Sequence, residues 1–177
     1  VRGAIDNQGD GDLINFQPTV SGTYLIRVTP RINATDLVPG IRILGEDLKT
    51  VTEATGSAGK SLTLVAYLEA TKVYPFQIVG LNGSKGAFDA LIVRDDFGDT
   101  IETAGLITGS QGNYSANGKI ELAGDTDLFR LPISQSGFMQ IVLMGDDGST
   151  DQFGFSASSG SPPTELADFN TGKIEVF

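Results

Sequence analysis

The chain repeats itself. An offset of 115 residues lays its beginning over its last third without a gap. Gly3 meets Gly118, Ile5 meets Ile120, and Gly9-Asp10 meets Gly124-Asp125. Asp12-Leu13 falls on Asp127-Leu128, Ser21-Gly22 on Ser136-Gly137, Ile26 on Ile141, and Thr35-Asp36 on Thr150-Asp151. The matches retain Gly and Asp, the residues that set turn geometry. A period this long belongs to a whole domain, since solenoid units run to about 50 residues. Between the copies lies Asp95-Asp96-Phe97-Gly98-Asp99-Thr100. With the loop Gly124-Asp125-Thr126-Asp127 it gathers five carboxylates within residues 95–127.

Each copy reads as sheet. Residues 23–28 are β-branched and aromatic, with Tyr24, Ile26 and Val28 on one face and Leu25 and Arg27 on the other. Further strands are expected at 3–7, 13–16, 40–44, 61–68, 73–81 and 87–93, with Leu62, Leu64 and Ala66 sharing a face. Pro75 should lie near the start of its strand, because it cannot donate to a ladder. Residues 45–60, punctuated by Gly45, Gly56 and Gly59, read as loop. Residues 47–54 and 61–71 carry some helical signal, outweighed by their β-branched and flanking residues. Tyr24 and Tyr67 sit in strand patterns and are expected in the core. The fold class is all-β: tandem jelly-roll-like β-sandwich domains, the second truncated. The boundaries are 1–94 for the first domain, 95–117 for an acidic strap and linker, and 118–177 for the second copy. The strand at 173–177 is expected to match residues 41–44, leaving nothing to match residues 61–93. On that reading either the polypeptide continues or another chain completes it. The start at Val1, with no signal-peptide pattern, reads as a mature product or an excised piece.

Composition narrows the chemistry. The net charge of −10 opposes a phosphate backbone, so nucleic acid is not an expected partner. Acidic surfaces attract divalent cations, and Ca²⁺ prefers oxygen ligands. The chain has no Cys, so it can form neither a disulfide nor a thiolate metal site. It has no His, which removes the Ser-His-Asp triad and the paired-His zinc site. No apolar run approaches the length of a membrane span.

With these motifs in view, the chain resembles the bacterial pre-peptidase C-terminal domain family, small modules attached to secreted peptidases and RTX-type exoproteins. The resemblance rests on residues 95–100, then Thr103-Ala104, Gly118-Lys119-Ile120-Glu121, and Gly124-Asp125-Thr126-Asp127-Leu128-Phe129. In the first copy it rests on residues 3–28. It implies a jelly-roll sandwich in which the acidic strap and the Gly-Asp-x-Asp loop share calcium. Carried over by position, the ligands are Asp95, Asp96, Asp99, Asp125 and Asp127. Three departures stand out: Leu128 precedes the aromatic Phe129, the first copy has Leu13-Ile14 there, and the strap carries Asp where many relatives carry Glu and Asn.

Each sharp reading has a plain rival. An acidic hinge is also what a solvated linker looks like, since Asp and Gly favour turns. Against this, clustered like charges repel and gain from a shared cation. Asp146-Asp147-Gly148 reads as a hairpin turn, lacking the ligand spacing of an EF-hand. Paired carboxylates such as Asp125 and Asp127 would suit a glycosidase, but no Trp is present to stack on sugar. Tyr24, Tyr67, Tyr74 and Tyr114 could form a ligand platform only if exposed together. The expected function is a non-catalytic accessory or adhesion module of a secreted or cell-surface protein, stabilised by calcium. Its partners would be extracellular matrix, a surface polymer or further copies of itself. The alternative is a structural repeat of an extracellular filament or surface layer, completed by a neighbour's strands.

Overall fold

Residues 22–30 show how the pattern becomes sheet. The strand β3 (Gly22–Pro30) turns Tyr24, Ile26 and Val28 inward, all buried. It pairs antiparallel with β6 (Leu62–Leu68) on one side and β8 (Gly86–Arg94) on the other. β1 (Arg2–Ile5) closes that sheet, whose order is β1-β8-β3-β6. A second antiparallel sheet has the order β2-β7-β4-β5, formed by β2 (Gly11–Phe16), β7 (Tyr74–Gly80), β4 (Pro39–Leu44) and β5 (Thr50–Thr55). Successive strands alternate between the sheets except at β4–β5. That order is a jelly roll, with two sheets back to back.

The structure is a computed structural model. It describes residues 1–45, 47–133 and 139–141, and the backbone of strands at 155–159, 164–169 and 174–176. The core lies between the first two sheets. Ile5, Ile26, Leu68 and Phe88 come from one, and Ile41, Phe76 and Ile78 from the other. Each such side chain, fully buried, contributes roughly 1.5–3 kcal/mol. Phe16 meets Tyr24 edge-on at 5.5 Å between centroids.

Several expectations change here. Residues 45–60 are not all loop, because β5 occupies 50–55. It is an edge strand that turns only Thr52 and Ala54 inward, so it lacks the apolar alternation that marks half-buried strands. Tyr67 is not core: it is 67% exposed, on the outer side of β6 opposite Leu64 and Leu68. Residues 61–71 form no helix, and the helical content described is one 3-10 turn at Leu81–Gly83. Pro75 sits second in β7, beyond the end of the ladder with β4. The stretch 108–117, read as linker, contains a short exposed hairpin of β10 (Thr108–Ser110) and β11 (Asn113–Ser115). Gln111 and Gly112 turn it with φ of 56° and 80°, as a primed two-residue turn requires.

The chain divides into two compact units, Val1–Leu131 and Pro132–Phe177. The acidic strap therefore belongs to the same unit as the jelly roll. Within that unit β9 (Gly105–Leu106) pairs in parallel with β12 (Phe129–Arg130). In the other unit β13 (Met139–Ile141) pairs with β16 (Ile174–Val176), and β14 (Phe155–Ser159) with β15 (Thr164–Phe169). Under the 115-residue offset β14 falls on β4, and β14–β15 pair antiparallel with a register shift, as β4–β5 do. β13 falls on β3, and β16 joins it antiparallel as β6 joins β3. The strand at 174–176 therefore pairs with the match of β3, as both β6 and β8 pair with β3, whereas residues 41–44, its match expected from sequence, pair with β5 and β7. Phe155-Ser156-Ala157-Ser158-Ser159 hides the true match, because its small polar residues carry little strand signal. The expected turn at 146–148 lies outside the described residues.

Candidate metal centre

The site starts where β8 ends. Phe88 and Ala90 of that strand face the core, so alternation sends Leu91, Val93 and Asp95 to the outer face. The Asp95 N–H donates to the Thr23 carbonyl at 3.0 Å, which extends the ladder to β3 by one residue. Outer-face residues of a sheet are usually wet, yet Asp95 is 4% exposed and Leu25 of β3 is 3% exposed. The segment after Asp95 folds back over this face. Arg27, on the same face as Leu25, donates through Nη1 to the Ala123 carbonyl at 3.2 Å.

Two devices close the fold-back. The Thr103 N–H returns the strap by donating to the Thr100 carbonyl at 3.1 Å, with the two hydroxyls 2.9 Å apart. Phe97 of the strap then packs on Phe129 of β12, with centroids 4.5 Å apart. Gly105 lies beside both rings, where a Cβ would collide with Phe97 and press on Phe129.

The loop at 121–127 is shaped by Asp125. Its Oδ2 accepts from the Glu121 N–H at 2.8 Å and its Oδ1 from the Thr126 N–H at 3.1 Å. Its own N–H donates to the Leu122 carbonyl at 3.0 Å. Gly124 holds a φ of 88°, open to glycine at no steric cost. The first copy repeats this construction. Asp10 accepts from the N–H groups of Asp6 and Gly11, its N–H donates to the Asn7 carbonyl, and Gly9 has a φ of 81°.

The strap and the loop bring Asp95, Asp96, Glu121 and Asp127 together. One oxygen from each lies within 4.8 Å of the others, a grouping that could hold a metal ion. Asp95 is buried, Glu121 and Asp127 are half-buried, and Asp96 is exposed. Both carboxylate oxygens of Asp95, Oε2 of Glu121 and Oδ1 of Asp127 are buried without a hydrogen-bond partner among the described residues. Among those residues no Lys or Arg forms an ion pair with any of the four. Burial, then the charges of Asp125 and Asp99, pushes the Asp95 carboxyl up to about 6. Burial, then Asp96 and Asp125, pushes Asp127 up to about 6. Burial, then a hydrogen bond with Asp125 and the charges around it, pushes Glu121 up to about 7.

Of the five residues singled out from sequence, Asp95, Asp96 and Asp127 meet in this cluster. Asp125 stands beside it as the residue that shapes the loop. Asp99 lies near Asp125 outside the four, its carboxyl raised by burial and by the Asp125 charge. Glu121 is the member that sequence reasoning missed. The signal was there: under the offset Glu121 falls on Asp6, so both copies have a carboxylate four residues before the loop Asp. No model of a known protein family matches the chain, and no curated protein matches it. The site must therefore be read from its own chemistry. Four carboxylates, with no nitrogen or sulfur donor, form a hard oxygen set suited to a hard cation.

Proposed function

We propose that this chain is a non-catalytic accessory or adhesion region of a secreted or cell-surface protein, and that Ca²⁺ at Asp95, Asp96, Glu121 and Asp127 fixes its strap. One observation carries the reading. Asp95 is buried with two unpartnered carboxylate oxygens, in a cluster with three further carboxylates. A buried anion with no counter-charge costs several kcal/mol, and the Phe97 N–H near the Asp95 carboxylate offsets only part of that. A divalent cation supplies the missing counter-charge. Mg²⁺ suits the site less well, since it demands a tight octahedron and keeps its waters.

The cation supplies only charge neutralisation and oxygen coordination. The rest is done by the chain: Asp95 and Asp96 bring the strap, Glu121 and Asp127 bring the loop, and Asp125 holds the loop in shape. With Asp96 exposed, affinity belongs in the range of roughly 10⁻⁴–10⁻³ M typical of extracellular calcium modules. Free calcium in an extracellular setting would be high enough to fill such a site. Kinship with pre-peptidase C-terminal modules is supported by the jelly-roll strand order and by the meeting of strap and Gly-Asp-x-Asp loop. No helix among the described residues is long and apolar enough to cross a membrane.

The accessory role is tested by co-sedimentation with insoluble polysaccharide, peptidoglycan and fibrillar protein, in calcium and in chelator, alongside chromogenic glycosides and peptides. Calcium-dependent retention on one polymer without hydrolysis is expected. Turnover of any substrate by the purified chain would overturn the non-catalytic reading.

A further inference from the structure

Both halves of the cation site hang on one strand. The strap leaves the jelly roll where the Asp95 N–H meets the Thr23 carbonyl of β3. The loop is tied to the same strand four residues on, where Arg27 Nη1 meets the Ala123 carbonyl. Leu25 lies between these two anchors and is buried although it points away from the core. Ala123 immediately precedes Gly124, whose left-handed φ opens the loop, and Glu121 and Asp127 flank that turn.

Arg27 makes no ion pair with a described carboxylate, although the molecule carries 22 Asp and Glu against only 12 Lys and Arg. Its donor is spent on a backbone carbonyl instead. We infer that Arg27 is a positioning residue for the cation site: by holding the Ala123 carbonyl against β3 it presents Glu121 and Asp127 to Asp95 and Asp96. Docking of residues 118–127 on β3 and cation binding are then one equilibrium, and the outer face of the jelly roll is the platform of the site. The inference rests on the cation reading above.

Two effects of Arg27 oppose each other. Its charge repels an incoming cation, while its hydrogen bond offsets part of the entropy lost in bringing loop to strap. The donor points at a carbonyl rather than at the carboxylates, so the anchor is the larger effect. A single partly exposed bond of this kind is worth about five-fold in an equilibrium constant.

The test is calorimetric titration of the full chain with Ca²⁺, comparing the native residue with Arg27→Met and Arg27→Lys, each also melted in chelator. Arg27→Met is expected to bind about five-fold more weakly, and Arg27→Lys, which keeps a charged donor, to recover most of that loss. Melting in chelator should shift little for all three, because the cation-free chain docks the loop only part of the time and one partly exposed hydrogen bond is small beside global stability. Should Arg27→Met lower melting in chelator, the Arg27→Lys affinity decides by itself: recovery supports the anchor, and no recovery contradicts it. Arg27→Met binding as tightly as the native chain, or more tightly, would overturn the positioning role while leaving the cation site intact. No calcium binding by the native chain would instead overturn the cation reading, and this inference with it.

Discussion

A carboxylate is cheap on a surface and costly in an interior, and that contrast singles out Asp95 from the other Asp and Glu residues of the chain. It is the one charged side chain in the buried set of the described residues. Its environment has a pH signature. Asp95 and Asp127 are pushed to about 6 and Glu121 to about 7 in the fold, above their ordinary values near 4. The folded, cation-free chain therefore holds more protons than the unfolded chain between about pH 4 and 7, and stability falls as pH rises through that window. Below pH 4 the penalty is absent, and above pH 7 it is complete. Melting in chelator should accordingly be higher at pH 5 than at pH 8, whereas calcium affinity should rise over the same interval as the ligands shed protons. Substitution separates the same two effects. Asp95→Asn should raise melting in chelator by relieving burial of charge, yet remove the calcium-induced rise. Asp127→Ala should blunt that rise far more than Asp12→Ala, since the first copy has no strap within residues 1–94 to meet its loop; thermal melts with and without calcium check both. Asp95, Asp96 and Asp127 are legible in sequence because an acidic run beside a Gly-Asp-x-Asp loop is a recognisable local pattern. Glu121 is marked only by its match to Asp6 under the offset, and its part at the site depends on a fold-back of residues 96–131 that no local pattern announces.

At the scale of elements, the two Gly-Asp-x-Asp loops form a natural control for each other. Gly9 and Gly124 share a left-handed φ, and a Cβ at either would stand in open space, so Ala there meets backbone strain rather than a clash. Each substitution should cost about 1–2 kcal/mol. Only Gly124→Ala should also weaken calcium binding, because only that loop carries ligands to the strap; equilibrium denaturation paired with titration distinguishes the outcomes. Strands are legible in sequence wherever one face is apolar, as in β3, β6 and β8. They are hidden where neither face is. β5 is an edge rich in Thr, and β14 is built mostly of Ser and Ala, so backbone pairing rather than side-chain pattern defines them. Core and surface faces of the strands should also respond very differently. Phe88→Ala should cost about 3–5 kcal/mol, and Tyr67→Ala no more than about 0.5 kcal/mol, in chemical denaturation.

At the scale of the whole molecule, the jelly roll does more than enclose a core. Its outer face at β3 and β8 supports the strap and the loop, and on the proposed reading their docking and the binding of a cation are linked. A ligand that binds only this closed form stabilises it by mass action, so melting should climb with free calcium rather than step at one concentration. Monovalent salt screens the four carboxylates without bridging them and should reproduce little of the effect. The most direct measurement is titration of the chelator-stripped chain with Ca²⁺, followed by heat of binding and by melting temperature on the same samples. Saturable binding in the range of roughly 10⁻⁴–10⁻³ M, a melting temperature that rises with calcium, and loss of both in Asp95→Asn are expected. No heat and no change in melting at millimolar calcium would contradict the metal centre and leave residues 95–100 as an acidic strap with an unrelieved buried charge.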